Sequence, residues 1–335
     1  MQRNISDNMS LAKNNTKILI TIVALIIIIF IIASVFSFTQ DETRKVRVGY
    51  INSWAEGSFP AIVMEKTSIL ENNSIVVDFI SFQTGIPVIE SALSNNIDVA
   101  FVGRVPGTSL VSRSDDWFFA GRLASFPIEL MARTGTGINS INDLRGKKIG
   151  VPFATGPYAL IVNALEENGI NHEKDVTLVN LKPGDMALAL QLGEVDAVSW
   201  GEPVLTVLEQ KGLAYSLEVY DELGVIVMSK SFAEKNPEMA RNFLKAFEES
   251  LFYISENKVQ VFEWFSDSSQ IDTEILNGID FTEPNYSAKS IGDVNLIISG
   301  YWIAEAQKRT DLEVALGIYS KTISVEEKTD LSYLK

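Results

Sequence analysis

A chain of 335 residues, 46% apolar and 21% charged, is long enough for two folded lobes; its formal charge of −15, with no basic patch, sets nucleic acid aside as a partner. The absence of cysteine removes disulfides, thiolate nucleophiles, iron–sulfur clusters and Cys-ligated zinc. The single histidine, His172, sits in a polar corner and reads as a solvated loop residue, leaving a His-based zinc site or a Ser-His-Asp triad without partners, so no metal or cofactor is expected.

From Ile18 to Phe38 no charge interrupts ILITIVALIIIIFIIASVFSF. About 20 apolar helical residues span a hydrocarbon core, so 18–38 reads as a transmembrane anchor, with Ala33-Ser34-Val35 leaving a cleaved signal as the alternative. Lys13 and Lys17 precede the run and Asp41-Glu42 follow it, which puts residues 1–17 in the cytoplasm and the body outside. The first 40 residues carry +2, leaving −17 for that body.

The folded part begins with a strand at Val46–Gly49, a loop at Tyr50–Gly57 and a helix at Phe59–Leu70. A strand at Ile75–Ile80 ends in Gln83-Thr84-Gly85, and Ile86–Leu93 follows with helical spacing. A third strand, Asp98–Val102, ends at Gly103-Arg104, with Pro106 suited to a first helical turn. Trp117–Leu123 and Ile128–Ala132 read as two further strands, the second leading out of the lobe. In the stretch from Asp143 to Pro203, apolar runs at Lys148–Val151, Val176–Leu181 and Ala197–Trp200 alternate with helical patterns, the grammar of βαβ units and a parallel sheet. Such sheets bind ligands at their carboxyl-end corners, here Ala154–Pro157 and Gly201–Pro203. Leu223–Met228 returns the chain, Pro237–Glu256 is an amphipathic helix, and Val259–Phe265, Ile291–Gln307 and Asp311–Tyr319 read as helices before a loose acidic tail at 324–335.

Three phrases carry a family resemblance: DLRGKKIGVPFATGPYALIVNALEENGI, ALALQLGEVDAVSWGEP and SFQTGIPVIESALSNNIDVAFVGRVP. Their order and wording over residues 45–255 resemble the ABC-transporter solute-binding proteins for nitrate, sulfonates, taurine and thiamine-pyrimidine precursors, the NMT1/THI5-like family. The resemblance implies an α/β, type II periplasmic-binding-protein fold, here preceded by an N-terminal transmembrane helix. Two lobes would be joined by two crossover strands: 45–129 plus 223–323 as the first, 130–222 as the second. It also implies delivery of a small-molecule solute to ABC permease and ATPase subunits. Arg104 departs from the small or apolar residue the family phrase has between its Gly and Pro.

The candidate ligand residues follow from the corners. Thr155, Gly156 and Tyr158 open a helix whose unpaired N–H groups and dipole would receive an anion, with the Thr155 hydroxyl as a further donor; the plain alternative is an ordinary βα turn. Trp200 ends a strand and would wall the pocket or pack in the hinge, while Glu202 would meet an amine or, more plainly, cap the next helix. Ser53 and Trp54 form the first polar corner, and Gln83, Thr84 and Gly85 the second. Arg104 directly follows a strand end and would hold a sulfonate or nitrate bidentately, its alternative being a surface bridge to Asp115 or Asp116; Arg122 is a second candidate of the same kind. Arg104→Ala would on that reading weaken an anionic ligand.

The expected function is an extracytoplasmic, membrane-tethered receptor of an ABC importer for a sulfonate- or nitrate-like anion, with no catalytic role. A receptor for a thiamine pyrimidine precursor, a same-fold small-metabolite enzyme and a sensor ectodomain are the alternatives. The pyrimidine-synthase branch relies on a cysteine-rich motif that this chain lacks, and residues 1–17 are too short for a signalling domain.

Overall fold

The computed structural model describes residues 45–334. The anchor expected at 18–38 and the cytoplasmic segment expected at 1–17 lie outside them, and no helix among the described residues is long and apolar enough to cross a membrane.

A mixed eight-stranded sheet runs through the molecule in the order β2-β1-β3-β8-β4-β7-β5-β6. Its first half comprises β1 (Lys45–Ile51), β2 (Val76–Phe82) and β3 (Val99–Gly103), with β1 parallel to both neighbours. Helices α1 (Ala55–Lys66), α2 (Gly85–Leu93) and α3 (Arg104–Arg113) each leave a carboxyl-end corner of these strands. The second half repeats the pattern: β5 (Lys148–Val151), α4 (Gly156–Glu167), β6 (Thr177–Asn180), α5 (Met186–Leu192), β7 (Ala197–Trp200) and α6 (Val204–Gln210), with β5 parallel to β6 and β7. Short, near-continuous apolar runs ending in polar, glycine-bearing corners produce this alternation, and βαβ handedness places the corners on one edge.

Two long antiparallel strands join the halves, β4 (Trp117–Arg133) and β8 (Ala214–Ser229), paired from Trp117 opposite Ser229 to Arg133 opposite Ala214. The two strands expected at 117–123 and 128–132 are therefore one. Ser125-Phe126-Pro127 stays extended because β8 runs alongside it without a break, and register shifts at Phe119/Gly121 and Arg122/Ala124 absorb the irregularity. One core, built on Phe59, Phe101, Phe243 and Phe247, fills the first half; separate clusters around Leu165 and around Leu190 fill the two faces of the second.

The C-terminal third departs most from expectation. After α7 (Pro237–Glu256) and α8 (Lys258–Ser269), helix is expected at 291–307 and 311–319, but one helix, α9, runs from Gly300 to Ala315. Ser299 sets its start by accepting the Trp302 N–H, and the residues before it lie against β4, where Arg122 N donates to Leu296 O at 2.8 Å. The tail is not loose: Phe119 N donates to Lys328 O at 2.8 Å and Asp330 N to Phe119 O at 3.1 Å.

Candidate functional site

The carboxyl-end corners of both sheet halves face each other across a cavity of about 40 Å³, room for a few waters. Its wall is almost entirely apolar. Ile51 and Trp54 come from the corner after β1, Gly85 from that after β2, and Gly103 and Pro106 from that after β3. The second half supplies Thr155, Gly156 and Pro157 after β5, and Trp200 and Gly201 after β7. Phe126 and Ile128 of β4 and Glu222 of β8 complete the lining.

Trp54 is the side chain most closely fitted. Its ring sits 4.4 Å from that of Phe126, and a Cβ on Gly224 would stand 2.6 Å from its edge, on Gly57 2.5 Å. Glycine at those two positions admits the indole. The halves touch here: Ala55 N donates to Glu202 O at 3.2 Å, and Trp200 Nε1 to Ser53 O at 3.3 Å. Trp200 is thus both wall and junction.

Of the residues expected from sequence, the cavity brings together Trp54, Gly85, Thr155, Gly156 and Trp200. The others lie outside its lining. Ser53 donates to Gln83 O at 2.8 Å, which ties the first two corners; Gln83 is exposed and Thr84 half-buried ahead of α2. Tyr158 packs on Phe153 with ring centres 5.0 Å apart. Glu202 receives Thr206 N at 3.2 Å and Thr206 Oγ1 at 2.9 Å, the geometry of a helix-start cap, and burial first of all raises its carboxyl pKa.

Two of the groups expected to receive an anion, the Thr155 hydroxyl and the Tyr158 N–H, are spent within the protein. The Thr155 hydroxyl donates to Pro152 O at 2.5 Å and accepts Tyr158 N at 3.4 Å, so it offers no proton to a ligand; Pro157 has no N–H. Arg104 is 2% exposed and makes four hydrogen bonds to two carboxylates: Nε and Nη2 to Glu222 at 3.1 and 3.2 Å, Nη1 and Nη2 to Glu313 at 2.8 and 2.7 Å. The surface bridge is also absent, since Asp115 pairs with Lys328 and Asp116 binds Ser229 and Ser231. A buried guanidinium has to be paired, and Glu222 and Glu313 pair it. Arg122 is clasped by Glu283 of the C-terminal segment, with Nη1 donating to Asn295 O at 3.0 Å. His172 lies in its loop beside Glu166, Nδ1 to Oε1 at 2.7 Å.

Sequence reasoning missed Glu222 and the apolar pair Phe126 and Ile128. Glu222 is fully buried: Oε1 accepts Arg104 Nε and its neighbour Leu223 N at 2.9 Å, while Oε2 accepts only the 3.2 Å bond from Arg104 and lies 3.4 Å from where a Gly156 Cβ would be. The chain's own carboxylate therefore stands at the start of α4, between Arg104 and the helix dipole. Behind Trp54, Glu56 is 1% exposed, and burial pushes its carboxyl up to about 8.

The comparisons with known proteins agree with this layout. Residues 119–260 match the family model described as NMT1/THI5 like. A Bacillus subtilis (strain 168) protein named for binding aliphatic sulfonates is 25% identical over 332 residues, 94% of this chain and 95% of its own length. The taurine-binding periplasmic protein of Escherichia coli (strain K12) is 29% identical over 64% of this chain and 68% of its own. The solved alkanesulfonate-binding protein SsuA from Xanthomonas axonopodis pv. citri superposes with a TM-score of 0.72 at 17% identity, covering 85% of this chain and 98% of that one. The architecture is the periplasmic-binding-protein α/β fold with a mixed sheet. The family model thus matches the central segment and these relatives match along most of the length, so the chain is similar to the NMT1/THI5-like proteins.

Proposed function

We propose that this chain is the solute-binding component of an ABC importer, taking a small organic solute of the sulfonate and taurine kind. The observation that carries this is the cavity itself: facing corners of two sheet halves, walled by Trp54, Phe126 and Trp200, with β4 and β8 running between the halves. Residues 45–129 with 223–323, and 130–222, act on this reading as two lobes. A solute touching both shifts their open–closed equilibrium by its differential affinity, and the closed face is what a permease recognises. The relatives named for binding aliphatic sulfonates and taurine support the solute class. Residues 18–38 serve as an anchor that holds the body outside the cell at high effective concentration near its permease. The Trp54 and Trp200 corners, with Thr155 and Gly156, form the contact surface, while Ser53, Gln83, Thr84, Tyr158 and Glu202 hold the corners in shape.

The test is a thermal-shift series on the full chain with taurine, alkanesulfonates, nitrate and thiamine pyrimidine precursors. A ligand of the native state raises Tm in proportion to the logarithm of its excess over Kd. A concentration-dependent rise with taurine or a sulfonate is expected, reduced in Trp200→Phe. A rise with the pyrimidines alone moves the solute class; no rise with any compound overturns the receptor reading.

A further inference from the structure

We infer that the C-terminal segment 300–319 is a strap across the two sheet halves, and that its Tyr319 sets solute affinity from outside the cavity by holding those halves together. This rests on the receptor reading of the cavity and adds what governs its closure. Polar bonds fasten α9 to the first half and to a joining strand. Glu313 accepts Nη1 and Nη2 of Arg104, at the head of α3, at 2.8 and 2.7 Å, and Arg309 donates to Asp221 O of β8 at 3.0 Å. Arg309 also stands 3.8 Å from Glu222, so Arg104 and Arg309 together neutralise that buried carboxylate. Past the helix, Gly317 turns the backbone at φ +75°, with Ile318 N donating to Glu313 O at 2.8 Å and Gly317 N to Val314 O at 3.0 Å. This glycine-closed helix end fixes where Tyr319 goes, and its hydroxyl donates to Val105 O at 3.1 Å.

The contact with the second half is apolar. Val105, Tyr319 and Ala159 of α4 form one buried cluster, with Val314 and Ile318 packed on it. The strap is thus tied to one half by charged hydrogen bonds and rests on the other by surface that can part and re-form. Val105 directly precedes Pro106, and Ala159 lies two residues beyond Pro157; both prolines line the cavity. The cluster therefore closes the corners after β3 and β5. Ala55 N to Glu202 O and Trp200 Nε1 to Ser53 O close those after β1 and β7. Rotation of the halves about β4 and β8 parts Ala159 from Val105 and Tyr319 and returns their apolar surface to water, which disfavours the open form. Apparent solute affinity scales with the fraction of molecules already closed, so the cluster tightens binding without touching the solute.

Distance measurement between two spin labels on the full chain, paired with calorimetric titration, tests the strap. The chain has no cysteine, so labels go only to Glu71→Cys in the first half and Lys211→Cys in the second, both exposed. Without solute, Tyr319→Ala is expected to add a longer distance to that of the labelled parent, and saturating taurine should remove it. Taurine should bind Tyr319→Ala about fivefold more weakly than the parent. Tyr319→Phe keeps the ring in the cluster and loses only a bond within the first half, so it should stay within about twofold of the parent. An unchanged distance distribution, or an unchanged taurine affinity, in Tyr319→Ala overturns the strap. A parent that binds neither taurine nor ethanesulfonate overturns the solute class of the receptor reading, and the distances alone then decide the strap. Should Tyr319→Ala fail to fold, Ala159→Gly withdraws the contacting methyl from the other side and is judged by the same two readouts.

Discussion

Glu56 shows how one buried acid behaves next to the cavity. It opens α1 beside Trp54, and desolvation raises its pKa from 4.5 to about 8, its own backbone N–H opposing this and the Glu202 and Glu283 charges adding to it. Between those two values the folded protein holds one more proton than the unfolded chain. Stability therefore falls as pH climbs through that window, by up to about 1.4 kcal/mol per pH unit, and levels off above it. Glu56→Gln keeps the shape and the neutral state at every pH. Urea unfolding at pH 5 and pH 8 should accordingly show the wild type losing stability relative to the variant, with the gap opening on the alkaline side. A gap that does not change with pH would mean that Glu56 titrates normally.

At the scale of elements, the surprise is α9. It carries Glu313, fully buried, to Arg104 at the head of α3, and Tyr319 just beyond it donates to Val105 O at 3.1 Å. Tyr319 packs with Val105 of α3 and Ala159 of α4, so the C-terminal segment touches both sheet halves. This changes what Arg104→Ala means. Beyond any loss of ligand, it would strand the buried Glu313 carboxylate and leave Glu222 with only Arg309, at 3.8 Å, as its cation. Removing one partner of a buried pair typically costs about 3–5 kcal/mol. Glu313→Ala should cost that much in chemical denaturation and loosen α9, seen as new proteolytic cleavage within 300–319. A cost under about 1 kcal/mol would mean that Glu222 alone satisfies the guanidinium and that α9 is held by its apolar face.

For the whole molecule, the corners were legible because each is local: an apolar run, a polar glycine-bearing turn and a helix lie within some ten residues, as in Val151 to Tyr158. What was not legible is what meets at them. Glu222 reaches Arg104 across 118 positions and Glu313 reaches it across 209, separations at which sequence pattern carries no pairing information. One signal was present: Glu222 stands directly before the apolar run Leu223–Met228, and the structure buries β8 continuously from that acid onward. Gly224, two residues on, concentrates the architecture. It pairs with Gly103 of β3 and Ala124 of β4, and its missing side chain gives room to Trp54, whose ring also lies 3.8 Å from a Cβ on Gly201 in the other half. A methyl group at Gly224 would meet the indole at 2.6 Å and Leu123 at 3.1 Å, in a strand and a core that cannot yield together. Gly224→Ala should therefore cost about 1–3 kcal/mol and weaken solute binding, because the displaced indole leaves the wall of the cavity and its contact with Phe126. Trp54→Phe removes the ring edge that collides. In the double variant the two costs should fall short of their sum by at least about 0.5 kcal/mol in denaturant unfolding, since the residues touch. Strict additivity would place the strain at Leu123 instead of Trp54 and detach the indole from the junction of the two halves.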